Sequence, residues 1–148
     1  MVMNIPFLDK WRKRHSADRD RGLAAAFEDD PEGVAELLSE CELLRSHASA
    51  AGLELDDSPA SLAALDQLLP RWRDDPEALP WLGNDAGLYL GTVVVRTVPG
   101  SAWHVWPGGS PAVRLASGRE IPVIEAGLGW AVQGAPGLSQ VYAEAAET

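Results

Sequence analysis

The chain contains a single cysteine, two lysines and no long apolar run. With Cys41 alone it can form neither an internal disulfide nor a cysteine-rich zinc site, which is typical of a reducing compartment. The longest apolar runs, such as residues 88–95, are far shorter than the roughly 18 residues of a membrane-spanning helix, and the N-terminus lacks the apolar region of a signal peptide. These absences predict a cytoplasmic protein.

Catalytic and cofactor motifs are also missing. His15, His47 and His104 are the only histidines, and none has the short spacing to another that metal ligands require. The chain has no Gly-x-Ser-x-Gly nucleophile elbow, no phosphate-binding loop and no dinucleotide fingerprint. We therefore expect neither a metal nor a cofactor.

The charge of the chain is unevenly placed. Residues 1–21 carry six Lys/Arg against three Asp, a net charge of +3, whereas residues 22–148 carry six Arg against nineteen Asp/Glu, a net charge of −13. An acidic surface disfavours general nucleic-acid binding. The pattern predicts a basic N-terminal arm, residues 1–21, on a single acidic domain, residues 22–148.

The arm includes an amphipathic segment at residues 4–14. In a helix, its apolar residues would share one face, with basic residues beside them: Phe7, Leu8, Trp11, Arg12 and Arg14. Such a face can fold back on the acidic body, dock on a protein partner, or lie on an anionic membrane. Folding back is favoured, because opposite charges attract and the apolar face would otherwise be exposed.

Apolar spacing predicts further helices over residues 17–28, 31–51 and 137–147, and another that starts at Ser58. The helix over residues 31–51 has Asp30 as its N-cap and Gly52 for a left-handed C-terminal position, with Cys41 buried on its apolar stripe. Pro70 should kink or end the helix that follows Ser58.

The segment Asp74–Glu77 has the same sequence, Asp-Asp-Pro-Glu, as the segment Asp29–Glu32. Paired acidic residues before a proline suit either calcium ligation or the first turn of a helix. We interpret both segments as helix starts, because a carboxylate cap followed by Pro and Glu is what the N-terminus of a helix favours.

Residues 80–98 are ambiguous between helix and strand, since residues 92–95 are mostly β-branched while Gly83, Gly87 and Gly91 recur at four-residue spacing. We favour a helix. Each glycine costs about 1 kcal/mol of helix stability relative to alanine, so a stripe of three makes sense only where another element packs closely against it.

Residues 102–123 alternate apolar and polar residues between glycine-containing turns, which predicts a three-stranded antiparallel meander that includes Ile121 and Val123. Trp103 and Trp106 would then point to opposite faces of the first strand, one into the core and one exposed beside His104. The predicted fold class is α+β, with N-terminal helices packed on the meander and a C-terminal helix.

Two stretches are distinctive in wording: Asn-Ile-Pro-Phe-Leu-Asp-Lys-Trp-Arg-Lys-Arg at residues 4–14 and Pro-Trp-Leu-Gly-Asn-Asp-Ala-Gly-Leu-Tyr-Leu-Gly-Thr-Val-Val-Val-Arg at residues 80–96. Together with residues 114–123, they resemble a family of small uncharacterised actinomycete proteins with a domain of unknown function, over nearly the whole chain. The resemblance implies no activity. The glycine helix followed by a Trp-bearing hairpin is also similar to small bacterial α+β domains, some of which are encoded near toxin and immunity genes.

Two functions stay open. Six tryptophans are many for this length, and aromatic side chains dominate interface energetics. The favoured function is a non-enzymatic protein-binding or adaptor module, with an immunity role as one form, acting through the arm and through Trp103, His104 and Trp106. The alternative is a small enzyme with a pocket at Asp85, Tyr89 and His104, in which Asn84 serves as an oxyanion donor.

Overall fold

The computed structural model describes the backbone of residues 19–147 and the side chains of residues 22–147. The predicted helix over residues 4–14 lies outside the described residues. The described part forms seven helices and three short strands: α1 Arg19–Asp29, α2 Pro31–Leu38, α3 Glu42–Ala50, α4 Pro59–Trp72, α5 Leu79–Thr97, β1 Ala102–Val105, β2 Pro111–Arg114, β3 Glu120–Ile121, α6 Val123–Gln133 and α7 Leu138–Glu147. The predicted α+β class is confirmed.

Helix α5 is the central element, and its residues 85–94 are all buried. It packs most extensively against α6. A methyl group added at Gly87 would overlap the carbonyl oxygen of Val123, and one added at Gly127 would overlap the carbonyl oxygen of Gly83. The two backbones can approach this closely only because these positions lack a Cβ. The predicted helix with a packed glycine face is therefore confirmed.

The three strands form the predicted antiparallel meander in the order β1-β2-β3. Trp103 lies opposite Val113, which in turn lies opposite Ile121. The third strand is shorter than predicted, because Val123 is the first residue of α6 and is fully buried. Pro122 explains the change, since it has no N–H to extend the ladder and is compatible with a helix start.

The single helix predicted over residues 31–51 is wrong. The helix ends at Leu38, and α3 begins at Glu42 after Cys41 adopts a left-handed conformation with φ 44°. The apolar stripe continues across the interruption, which is why the sequence pattern resembles one helix. The predicted N-cap of α2 is confirmed, as Asp30 Oδ1 accepts the N–H of Gly33 at 3.0 Å, and Gly52 has the expected positive φ of 88°.

The other predicted helix signals have mixed outcomes. Ser58 caps α4 as expected, with its Oγ 3.3 Å from the N–H of Ser61. Helix α4 continues through Pro70 and ends two residues later at Trp72. The prediction of a helix start at Asp74–Glu77 is wrong, because these residues form a turn, closed by the N–H of Ala78 on the carbonyl of Asp75, and α5 begins only at Leu79.

Candidate functional site

The three residues of the predicted enzyme pocket, Asp85, Tyr89 and His104, each contact a different set of residues. The Asp85 carboxylate accepts the N–H of Leu44, the Tyr89 hydroxyl contacts residues 57 and 61, and His104 lies on the sheet with its Nε2 3.9 Å from Glu120 Oε2. Within residues 22–147, no hydrogen bond joins the three side chains to one another. The arrangement therefore does not form a nucleophile, base and orienting group in contact.

The Asp85 side chain, on α5, is buried against the N-terminus of α3. Its Oδ2 lies 3.1 Å from the N–H of Leu44, the third residue of that helix, whose own N-cap residue, Cys41, makes no side-chain cap. Asp85 thus supplies, from α5, the cap that α3 lacks. Burial raises the pKa of Asp85 to about 6, against the lowering effect of hydrogen bonds from Leu44 and Leu43.

The side chain of Arg45, on α3, reaches back to the interruption between α2 and α3. Its guanidinium donates to the carbonyls of Ser39 and Glu40 at 3.1 and 3.0 Å and to Asp57 Oδ1 at 3.0 Å. It also lies over the ring of Tyr89, 5.2 Å from the centroid. Arg45 therefore satisfies carbonyls that the broken helix leaves without partners, in place of a longer helix.

Asp57 holds the opposite side of this network in a left-handed conformation with φ 63°. Its N–H donates to the Tyr89 hydroxyl at 2.8 Å, which also lies 2.7 Å from Ser61 Oγ, and its carboxylate pairs with Arg45 and with Arg96 at 3.4 Å. Every buried side-chain nitrogen and oxygen of the described residues has a hydrogen-bond partner. The network is therefore internally satisfied, and its chemistry is that of a structural clamp.

Cys41 is 3% exposed, and its Sγ lies 3.6 Å from the carbonyl of Leu38. Burial raises the pKa of the thiol well above its ordinary value, and the nearby Asp85 adds to this effect. A thiol with a raised pKa is a poor nucleophile at neutral pH. The prediction of a buried cysteine is confirmed.

The outer side of the meander carries a cluster that we call the hairpin face: His104, Trp106, Arg114 and Glu120. Glu120 joins its members, with Oε1 accepting the indole N–H of Trp106 at 2.5 Å and Oε2 accepting two N–H groups of Arg114 at 2.9 and 2.7 Å. His104 lies beside the same carboxylate. A single acceptor thus holds an aromatic ring and a guanidinium in fixed positions.

The hairpin face is ordered but open to solvent. The Arg114 side chain is 51% exposed, compared with 31% for His104. The hydrogen bonds from Trp106 and then Arg114 hold the pKa of Glu120 below its usual range, so this carboxylate stays ionised at neutral pH.

Alternation along β1 separates the two tryptophans as predicted. Trp103 is buried and its ring lies over Gly91 of α5, whereas Trp106 is only half-buried, on the side of His104. Trp103 is therefore a core residue, and of the predicted surface only His104 and Trp106 are available. The remaining predicted binding residues lie outside the described part of the chain: Phe7, Leu8, Trp11, Arg12 and Arg14.

Sequence reasoning missed a second surface on α6. Leu128 and Val132, one turn apart, are 37% and 56% exposed. They border a depression of about 550 Å³ that we call the α6 groove, lined by Pro122, Glu125, Ala126, Leu128, Gly129, Val132, Gln133, Ala135 and Pro136. The groove was missed because α6 was not predicted. The spacing of Leu128 and Val132 is the signal that could have revealed it.

Between residues 19 and 147, no three His, Cys, Asp or Glu side chains are grouped to hold a metal ion. Over the same range, none of the helices combines the length and the apolar character needed to cross a membrane.

The fold and its surfaces thus define a small α+β domain with an ordered hairpin face and no assembled catalytic group among the described residues. The chain belongs to a family of unknown function, DUF6278, which matches residues 3–148. Neither a curated protein nor a solved structure matches it.

Proposed function

We propose that this protein is a non-enzymatic protein-binding module that contacts its partner through the hairpin face. The observation that carries the proposal is the hydrogen bond between the Trp106 indole and Glu120, which fixes a half-exposed tryptophan next to an exposed arginine. Trp and Arg are among the residues most enriched at the energetic centres of protein interfaces.

Prior ordering of this face favours binding. A long or aromatic side chain that must be immobilised on association costs about 0.5–1.5 kcal/mol. Trp106 and Arg114 already share Glu120 as their acceptor, so less of this cost falls on the binding step. Because the guanidinium is about half exposed while paired, an acidic or carbonyl-rich partner segment can approach it without breaking the pair.

The biological setting is a further part of the proposal. A cytoplasmic adaptor suits the single buried cysteine. An immunity protein that neutralises a toxin is one form of such an adaptor, and an actinomycete source is consistent with the arginine- and alanine-rich composition. A toxin gene immediately upstream is the observation that would distinguish an immunity protein from a general adaptor.

The enzyme alternative depends on Asp85, because a carboxyl with a pKa of about 6 resembles a general base. Against it, this carboxylate is 5% exposed and faces the backbone of α3 rather than the groove or the hairpin face.

The binding proposal is tested with the full chain and purified partner candidates, among them the product of an adjacent gene. We expect Trp106→Ala and Arg114→Ala each to raise the dissociation constant at least about tenfold, as measured by calorimetry. This factor corresponds to the loss of about 1.4 kcal/mol of binding free energy. Arg71→Ala, which removes an exposed arginine on α4, is the matched control and should bind as the wild type does. Equal affinity for all four proteins would refute the role of the hairpin face.

A further inference from the structure

The α6 groove is an apolar surface with two distinct ends. The opposite side of α6 is buried through Gly127, Trp130 and Ala131, so that Leu128 and Val132 point away from the core. At Gly129, between them, an added Cβ would meet no atom within 4 Å. The helix therefore presents two neighbouring aliphatic side chains beside an open position, at Gly129, into which a bulky side chain can enter.

The charges at the ends of the groove differ. Glu125 lies at the end nearer the start of α6. At the other end, Arg73 donates to the carbonyl of Val132 at 3.0 Å. A segment that carries both an apolar face and basic residues would therefore lie with its basic residues near Glu125 and away from Arg73.

Residues 4–14 of the same chain have this composition. They contain the apolar residues Phe7, Leu8 and Trp11 and four Lys/Arg against one Asp, and they precede a body with a net charge of −13.

The length of chain before α1 sets how far residues 4–14 can reach. Seven residues lie between Trp11 and Arg19, where α1 begins, and the eight Cα–Cα steps span up to about 26 Å when extended. Helix α1 packs against α2 and β1. The groove begins at Pro122, directly after β3, and β3 lies two strands from β1, a distance of about 10 Å across the sheet. The family match, residues 3–148, also includes both the segment and the groove in one unit.

We propose that residues 4–14 dock in the α6 groove of their own chain, with Phe7, Leu8 and Trp11 against Leu128 and Val132 and the basic residues toward Glu125. This contact is independent of the hairpin face. It covers the two large apolar side chains that the described residues leave exposed, and it makes the basic arm part of the folded domain.

The test uses the full chain with a nitroxide attached at Gln133→Cys, an exposed position on the groove rim. The native Cys41 is buried and should remain unlabelled, which labelling of the unsubstituted chain checks. We expect strong paramagnetic broadening of the amide signals of residues 7–11 in isotope-labelled protein. Adding Leu128→Asp and Val132→Asp should restore these signals, whereas Ala63→Asp, an exposed substitution on α4, should leave them broadened.

Two further samples make the result decisive. If the double substitution disturbs the signals of the core, Trp11→Ser in the nitroxide-labelled chain replaces it and should restore the signals of residues 7 and 8. The second sample is a mixture of two proteins: one carries the nitroxide but no isotope label, and the other carries the isotope label but no nitroxide. Broadening in this mixture can come only from contact between two copies of the chain. Broadening in that mixture would overturn the proposal in favour of a second copy as the occupant, and unbroadened arm signals in the first sample would overturn it altogether.

Discussion

Helices α2 and α4 begin differently from α3 and α7. The first two are capped by the residue that precedes them, Asp30 and Ser58, at donor–acceptor distances of 3.0 and 3.3 Å. The other two receive their caps from distant aspartates. Asp85 accepts from Leu44, 41 residues away, and Asp66 accepts from Leu138, 72 residues away.

The difference shows which parts of the fold form independently of the rest. A local cap exists as soon as one turn of helix forms. A cap from another helix exists only after the two helices have packed, so it couples the formation of α3 to that of α5, and the formation of α7 to that of α4. The distant caps should therefore contribute to cooperative folding as well as to helix stability.

Asp66 should show the largest effect. It accepts the indole N–H of Trp130 at 2.9 Å, the N–H of Leu138 at 2.8 Å, and both the N–H and the hydroxyl of Ser139 at 3.2 and 2.6 Å. Asp66→Ala leaves these donors without an acceptor, and the Trp130 side chain is 1% exposed. We expect a loss of about 3 kcal/mol in the free energy of unfolding, measured by urea denaturation.

The control for this substitution is Gln67→Ala, at the exposed neighbouring position on α4. It should change the free energy of unfolding by no more than about 0.5 kcal/mol. A loss for Asp66→Ala as small as the loss for Gln67→Ala would mean that water replaces the distant cap at no cost.

Asp85 gives the second distant cap a pH dependence. Its pKa is raised from 3.8 to about 6 in the folded chain, chiefly by burial, so the folded state binds the proton more tightly than the unfolded state. By linkage, the tighter proton binding of folded Asp85 adds to the free energy of unfolding. This stabilisation is fully present below about pH 4 and is lost as the pH rises through about 6. When Asp85 is ionised, it still caps α3, but burial of its charge lowers the stability of the folded state.

The pH effect is measured by comparing the wild type with Asp85→Asn, which keeps an acceptor oxygen for Leu44 but does not ionise. From pH 5 to pH 8, the free energy of unfolding of the variant should improve relative to the wild type by about 1–2 kcal/mol. Asp56→Asn, an exposed carboxylate whose pKa is lowered by Ser58, is the contrasting control and should not show this trend. A constant difference between wild type and Asp85→Asn across this range would contradict the role of Asp85.

The same distinction explains how much of the structure could be predicted from sequence. Features set by neighbours along the chain were predicted, namely the cap at Asp30, the cap at Ser58 and the glycine turns of the meander. The helical state of α5 was also predicted, because Gly83 and Gly87 imply a close partner even though the pattern does not identify that partner as α6.

Features set by distant partners were not predicted. At the break before α3, hydrogen bonds come from Asp85 on α5 and from the Arg45 side chain, and neither residue changes the apolar stripe from which one long helix was inferred. Helix α6 was missed because Gly127 and Gly129 lower its intrinsic propensity and its apolar residues surround the axis rather than form a stripe. Within the candidate site, alternation separated Trp103 from Trp106, but it does not say which of the two rings is buried; in the fold it is Trp103, whose ring lies over Gly91.

The local caps should give the smallest effect. Asp30→Ala removes one exposed acceptor from the start of α2, and the freed N–H of Gly33 can bond to water, so we expect a loss of about 1 kcal/mol in the free energy of unfolding. The control is Asp29→Ala, which removes the same charge at the adjacent exposed position but no cap. It should lower the free energy of unfolding by less than Asp30→Ala does. If Asp30→Ala instead destabilises the chain as much as Asp66→Ala does, local and distant caps are energetically equivalent here. The coupling between helix formation and packing would then have to arise from the glycine contact of α5 with α6.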